Sequence, residues 1–92
     1  MDRPLHYILE AHADAATLYV TGALSIAGVV AAMHRCEELP PRVRNLRVDL
    51  RATRGVEPGA LDAIAFTTRR WRDLRVGSTR IDLPGEPAPR AA

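Results

Sequence analysis

Three histidines and one cysteine are the residues of this chain best suited to metal binding or nucleophilic chemistry. His6 and His12 fall in or just after the first apolar run, whereas His34 and Cys36 fall in a helical pattern. No cysteine or carboxylate pair joins the histidines at metal-ligand spacing. Residues two apart on a helix face different directions, so His34 is not placed to activate Cys36. We therefore predict no metal site, no cofactor and no catalytic residue, with Cys36 a small core or boundary side chain.

Sequence motifs for nucleotide or acyl-transfer chemistry are also missing. The chain contains no Gly-x-Gly-x-x-Gly fingerprint, no Walker phosphate loop and no Gly-x-Ser-x-Gly nucleophile elbow. The sequence therefore predicts a protein that is not an enzyme. Binding of a small ligand or nucleotide stays open as a third function, although no glycine-rich phosphate loop supports it.

The basic residues are all arginines, and the formal net charge is only +2. Six of them flank the second predicted helix at its two ends and do not form one continuous stripe. These arginines are Arg51 and Arg54 before the helix, and Arg69, Arg70, Arg72 and Arg75 near its end. With two Tyr, one Phe and one Trp, a platform for base stacking is poorly supplied. The pattern argues against nucleic-acid binding and favours solvated arginines, some of them in contact with an acidic partner protein.

Length and composition indicate one small domain. The chain has 92 residues, of which 47% are apolar, so we expect an aliphatic core. Its apolar stretches are far shorter than the roughly 20 residues that span a bilayer, and no secretory signal is present. A single cysteine suits a reducing compartment. We predict a cytoplasmic protein with one domain at residues 1–84 and a mobile Pro/Ala-rich tail at residues 85–92.

Apolar periodicity predicts the element order β-β-α-β-α-β. The strands are expected at residues 5–11, 17–23, 43–50 and 75–83. The first helix follows the N-cap Ser25 and ends before Pro40, and the second begins at Pro58 after a polar loop at residues 51–57. This order predicts an α/β sandwich with a mostly parallel four-stranded sheet and helices packed on it. A ferredoxin-like fold is the rival, but it places its hairpin in the middle of the chain.

Helical spacing also predicts the buried face of each helix. For the first helix the face is Ile26, Val29, Val30 and Met33, with Cys36 or Glu37. For the second it is Leu61, Ile64, Thr68 and Trp71, with Ala65 or Leu74.

Four landmarks carry a resemblance to a known family. They are the strand from Leu18 to Leu24 with Gly22, the apolar helix ending at Leu39, the strand ending in Asp49-Leu50, and the loop into a helix with Leu61. Together, the run from Leu18 to Leu83 resembles the STAS domain of bacterial anti-sigma factor antagonists. The resemblance implies a STAS-like fold and a protein partner, such as an anti-sigma factor or a kinase-fold regulator.

Members of that family carry an Asp-Ser-Ser-Gly-Leu type motif, whose serine is phosphorylated at the start of the following helix. The matching stretch here is Glu57-Pro58-Gly59-Ala60-Leu61. Gly59 therefore stands at a phosphorylation position that has lost its hydroxyl, and Glu57 supplies a permanent negative charge near the helix start. Thr53 is the nearest hydroxyl upstream. Thr53 is either a substitute site of phosphorylation or an ordinary loop residue.

The resemblance also implies where a partner would bind. A helix N-terminus and its preceding loop leave backbone donors free, so we expect the contact rim there. Its residues would be Thr53, Arg54, Glu57, Pro58, Gly59 and Asp62. Alternatively, the same residues serve only to start the helix, with Pro58 as its first residue.

Two functions of different classes follow. The leading one is a non-enzymatic interaction module that binds a regulatory partner without a phosphoserine switch. The alternative is an adaptor subunit of a larger assembly, such as a transporter regulator or a stress-signalling scaffold.

Family members continue with further elements where this sequence becomes Pro-rich, so the last strand, from Val76 to Leu83, is expected to be an exposed edge. Such an edge predicts homodimerisation, unless Arg80 and Asp82 are charges that blunt it.

Overall fold

The computed structural model describes residues 4–85. Its elements are β1 (His6–His12), β2 (Ala15–Leu24), α1 (Ile26–Glu37), β3 (Asn45–Val56), α2 (Ala60–Arg75) and β4 (Ser78–Asp82). The strands form one sheet in the order β1-β2-β3-β4, in which β1 is antiparallel to β2 and the other two pairs are parallel. The predicted α/β class, element order and mostly parallel sheet are confirmed. Apart from Gly85, the predicted tail at residues 85–92 lies outside the described residues.

Both helices pack on one face of the sheet, because two successive right-handed crossovers in the same direction place them on the same side. Alternate residues of β2 and β3 point into the core, as their period-2 pattern predicted. The buried core residues include Leu18 and Val20 on β2, Leu46, Val48 and Leu50 on β3, Val29, Met33 and Cys36 on α1, and Ile64 and Trp71 on α2. The described residues form a flat body only 19 Å thick along its shortest axis, as expected for one sheet and one helix layer.

The third strand is longer than predicted. It continues to Val56 instead of ending at Leu50, so most of the expected polar loop is strand. Pairing with β2 passes from Tyr19↔Asp49 to Thr21↔Ala52, which leaves one extra residue on β3, and a second shift of the same kind follows before Val56. These bulges interrupt the apolar alternation while the strand goes on pairing, which is why the sequence pattern looked like a loop.

The start of α2 and the start of β4 differ from the prediction. The helix begins at Ala60, so Pro58 is not its first residue, and Gly59 is the N-cap with a φ of +87°. At the other end the helix extends to Arg75, and Val76 terminates it in the left-handed region with a φ of +50°. Strand β4 therefore begins at Ser78 rather than at Arg75.

The helix faces were predicted too wide. On α1, Ile26 and Val30 are exposed, and on α2, Leu61 and Leu74 are exposed. The small residues Ala32 and Ala60 are buried instead. Alanines let the helices approach their neighbours closely, which leaves longer aliphatic side chains at the margins of the contact.

Arg75, the last residue of α2, holds the end of α1 in place. Its guanidinium donates hydrogen bonds of 2.7–3.2 Å to the carbonyl oxygens of Glu37, Leu39, Pro40 and Val43. The same guanidinium lies 4.6 Å from the ring centre of Trp71, whose indole Nε1 donates to the Cys36 carbonyl at 3.0 Å. A side chain of α2 thus satisfies one carbonyl of the last turn of α1 and three carbonyls of the segment that follows it.

The side of the sheet away from the helices is polar and carries ion pairs; we call it the open face. Its residues include His6, Ile8 and Glu10 on β1, Tyr19 on β2, Arg47, Asp49 and Arg51 on β3, and Arg80 and Asp82 on β4. Asp82 is buried between Arg47 and Arg80, and Asp49 pairs with Arg51 at 2.7 Å. The Arg51 guanidinium, which also hydrogen-bonds to Asp49, holds the pKa of that carboxyl below its usual range.

Candidate functional site

The candidate site lies where β2 and β3 end and the two helices begin. The strands are parallel and each leads directly into a helix, so both helix N-termini lie at the same edge of the sheet. The Glu57 amide donates to the Leu24 carbonyl at 2.8 Å, which ties the end of β3 to the end of β2.

Glu57 places its charge at a different helix from the one expected. Its carboxylate Oε2 accepts a hydrogen bond from the Ile26 amide at 2.6 Å, at the start of α1 rather than of α2. In the same turn, the Ser25 hydroxyl accepts from the Gly28 amide at 3.0 Å, so Ser25 is the N-cap, as predicted. An anion at a helix N-terminus is favoured by the free amides and by the helix dipole. Glu57 therefore fixes the β3–α2 connection against α1.

Pro58 and Gly59 form the turn into α2. The Ala60 amide donates to the Glu57 carbonyl at 3.0 Å, and no side chain caps the helix. A Cβ on Gly59 would lie 3.4 Å from Ile26 Cδ1, in a left-handed backbone conformation that favours glycine. Asp62, in the first turn, is the acidic residue closest to the N-terminal end of the α2 dipole.

The exposed residues at the end of β3 and in the first turns of the two helices include both apolar and charged side chains. We call this group the helix-start surface: Ile26, Arg54, Val56, Glu57, Pro58, Gly59, Leu61 and Asp62. Ile26, Val56 and Leu61 are 39%, 40% and 38% exposed, so each offers apolar area while remaining anchored. Charged Arg54, Glu57 and Asp62 are exposed among them.

Sequence reasoning missed the apolar part of this surface. Ile26 and Leu61 were assigned to buried helix faces, and Val56 to a polar loop. The signal for Leu61 was present, because Ala60, Ile64, Thr68 and Trp71 already form a complete helical series without it. Nothing in the local pattern indicates that Ile26, from another element, lies beside Gly59.

Thr53 does not belong to the exposed surface. It lies within β3 opposite Gly22, not in a loop, and it is buried. Its hydroxyl donates to the Leu50 carbonyl at 2.7 Å. The bulge before Thr53 turns its side chain inward, which the sequence pattern did not reveal. In this conformation its hydroxyl is not accessible to a kinase.

The residues considered for metal or nucleophilic chemistry lie apart. His6 and His12 are exposed on β1, whereas His34 is exposed on α1 beside Glu37 and Glu38. Within residues 4–85, no three His, Cys, Asp or Glu side chains are grouped closely enough to hold a metal ion. Cys36 is fully buried, as predicted for a core side chain, and burial raises the pKa of its thiol to about 12.

Neither helix of the described part of the chain has the length and apolar character needed to cross a bilayer.

Solved structures share this architecture. The crystal structure of an anti-sigma-factor antagonist STAS domain from Rhodobacter sphaeroides matches 88% of this chain and 86% of its own, with a TM-score of 0.64 and 15% identity. The chain has a STAS-like fold. A second structure, described as "Crystal Structure Analysis of Mglu", matches 84% of this chain, with a TM-score of 0.72 and 18% identity. This chain spans only 19% of the length of that second protein.

No model of a known protein family matches the sequence, and no curated protein is similar enough to count as a relative. The structural likeness confirms the STAS resemblance read from the sequence at the level of the fold. In this STAS-like domain, the stretch from Glu57 to Leu61 leads into α2 at the carboxyl end of β3.

Proposed function

We propose that this STAS-like domain is a non-enzymatic protein-interaction module of the anti-sigma factor antagonist type. It binds its regulatory partner through the helix-start surface. The observation that carries the proposal is the group of half-exposed apolar residues, Ile26, Val56 and Leu61, set among Arg54, Glu57 and Asp62. An apolar centre with a charged rim is the usual composition of a protein interface.

The partner class is proposed from the fold. The likeness to an anti-sigma-factor antagonist supports an anti-sigma factor, or a related kinase-fold regulator, in the cytoplasm. Serine and threonine are absent from residues 57–66, and the nearest upstream hydroxyl, on Thr53, is buried. Binding would therefore proceed without a phosphoserine switch, with Glu57 as a permanent charge at this surface.

Leu61 is the best residue for a test of this surface. It is 38% exposed, so an arginine there would point into solvent in the free domain while disrupting the apolar centre of a complex. Loss of a central apolar contact typically costs about 2 kcal/mol or more, or roughly a 30-fold loss of affinity. Leu74→Arg is the matched control, because Leu74 is also exposed on α2 but lies at its other end.

The experiment begins with affinity capture of the tagged full chain from its source cells and identification of bound proteins by mass spectrometry. Calorimetry with the purified partner then compares the wild type, Leu61→Arg, Arg54→Glu and Leu74→Arg. We expect the captured partner to be an anti-sigma factor. Its affinity should fall roughly 30-fold or more with Leu61→Arg, and it should also change with Arg54→Glu. Equal affinities for Leu61→Arg and Leu74→Arg would exclude the helix-start surface as the binding site.

The alternative function is an adaptor module within a larger assembly. One observation favours it, because the same fold matches a segment that makes up only 19% of a longer solved chain. Capture of transporter or scaffold subunits, with no anti-sigma factor, would support this alternative. A homodimer through the edge from Val76 to Leu83 was the expected sign of an adaptor.

A further inference from the structure

The sheet has two edge strands, β1 and β4, and they differ in how well they are protected from pairing with another strand. Strand β4 has only five residues, carries Arg80 and Asp82, and is followed closely by Pro84. Short length, charge and proline are features by which proteins discourage pairing at an edge. Val76 and Gly77, which were predicted to belong to this edge strand, precede β4 in the structure.

Strand β1 is longer and carries less charge. It has seven residues, its one fully charged side chain is Glu10, and Pro4 precedes it by two residues, as Pro84 follows β4. Ile8, the third residue of the strand, lies on the open face and is 63% exposed. Within residues 4–85, the backbone of β1 pairs only with β2, so the outer row of amides and carbonyls is available to another strand.

We propose that β1 pairs antiparallel with β1 of a second copy, about a two-fold axis at Ile8, to make one continuous sheet. In this register Ile8 faces Ile8, and His6 faces Glu10 of the second copy on the open face. Tyr7 faces Leu9 of the second copy on the helix side. Apolar residues thus meet apolar residues in the centre of the pair, and the His6 imidazole of each copy meets the Glu10 carboxylate of the other.

Both neighbouring registers are less favourable. With the axis at Tyr7, His6 would face Ile8, and Glu10 would face Pro4. With the axis at Leu9, His6 would face His12 and Ile8 would face Glu10, so both matches on the open face would be lost. A shift of one residue in the axis therefore changes every pair along the edge. The second copy is thus specified by the sequence of β1 itself.

This inference is independent of the proposed function. Strand β1 lies at one side of the sheet, whereas the helix-start surface lies at the ends of β2 and β3 and on α2. A dimer through β1 leaves that surface free. Failure of either proposal therefore does not decide the other.

Cysteine cross-linking tests the two-fold axis. Opposed residues in an antiparallel pair have Cα atoms about 4.5–5.5 Å apart, within the range that a disulfide bridges. The full chain carrying Ile8→Cys should therefore form a covalent dimer under mild oxidation. Arg80→Cys, on the open face of β4, is the matched control and should form no covalent dimer. Cys36 does not compete, because it is buried.

Light scattering of the uncross-linked protein completes the test. The wild type should be a dimer. Ile8→Lys should be a monomer, because the substitution places two like charges opposite each other at the two-fold axis. Circular dichroism checks that this variant is folded. Tyr19→Lys, on the adjacent strand of the same face, should remain a dimer. A monomeric wild type, a dimeric Ile8→Lys, or cross-linking of Arg80→Cys in place of Ile8→Cys would overturn the proposal.

Discussion

Cys36 shows how burial changes the chemistry of a single residue. Its side chain is fully buried, and burial raises the thiol pKa from 9.0 to about 12, although the positive charge of Arg75 acts in the opposite direction. We expect no reaction with thiol reagents in the native protein at pH 8, and rapid reaction in guanidinium chloride. Labelling followed by mass spectrometry measures both. Rapid labelling of the native protein would show that Cys36 is accessible.

The same shift has a consequence for stability at high pH. Since the folded protein holds the thiol proton more tightly than the unfolded chain, this contribution to stability is complete below pH 9 and is lost between pH 9 and about 12. Cys36→Ala should lose less stability over that range than the wild type. Denaturant unfolding at several pH values measures the difference. If the free energy of unfolding fell equally with pH in both proteins, the raised pKa of Cys36 would be contradicted.

At the scale of the element, the junction of α2 with β4 contains two adjacent residues for which we predict opposite effects. Val76 is β-branched and has a φ of +50°, a conformation that costs roughly 1–2 kcal/mol for an L-residue. Val76→Gly should therefore stabilise the protein by about 1 kcal/mol, or roughly 4–8 °C in Tm. Gly77→Ala should destabilise it strongly, because the new Cβ would lie 1.9 Å from the Arg44 carbonyl oxygen.

Thermal unfolding by circular dichroism compares both variants with the wild type. A lower Tm for Val76→Gly would show that the left-handed residue carries no strain. An unchanged Tm for Gly77→Ala would show that the residues just before β3 and β4 do not approach each other this closely.

The elements also show what the sequence could predict. Apolar periodicity in β2 and β3 predicted two strands, because a period of two is visible without tertiary information. The end of β3 was not predictable, since bulges leave paired residues without alternation. At the site, Glu57, Pro58, Gly59 and Asp62 were correctly expected beside a helix start. The contact of Glu57 with Ile26 joins residues 31 apart in sequence, and no local pattern encodes it.

At the scale of the whole molecule, both helices share one core with the sheet. Trp71, the single tryptophan, is buried in that core and hydrogen-bonds to the end of α1. We expect two-state unfolding in urea, with coincident transitions for Trp71 fluorescence and far-UV circular dichroism. A fluorescence change at lower urea would indicate that the helix pair separates before the sheet unfolds.

The contact of Arg75 with the end of α1 has a consequence for the time course of synthesis. The carbonyls that it binds come from residues 32–38 positions earlier in the chain. While the protein is still emerging from the ribosome, those carbonyls lack their Arg75 partner. The segment that follows α1 therefore gains these hydrogen bonds only after α2 has been made, and the nascent chain reaches its final packing near the end of translation of this domain.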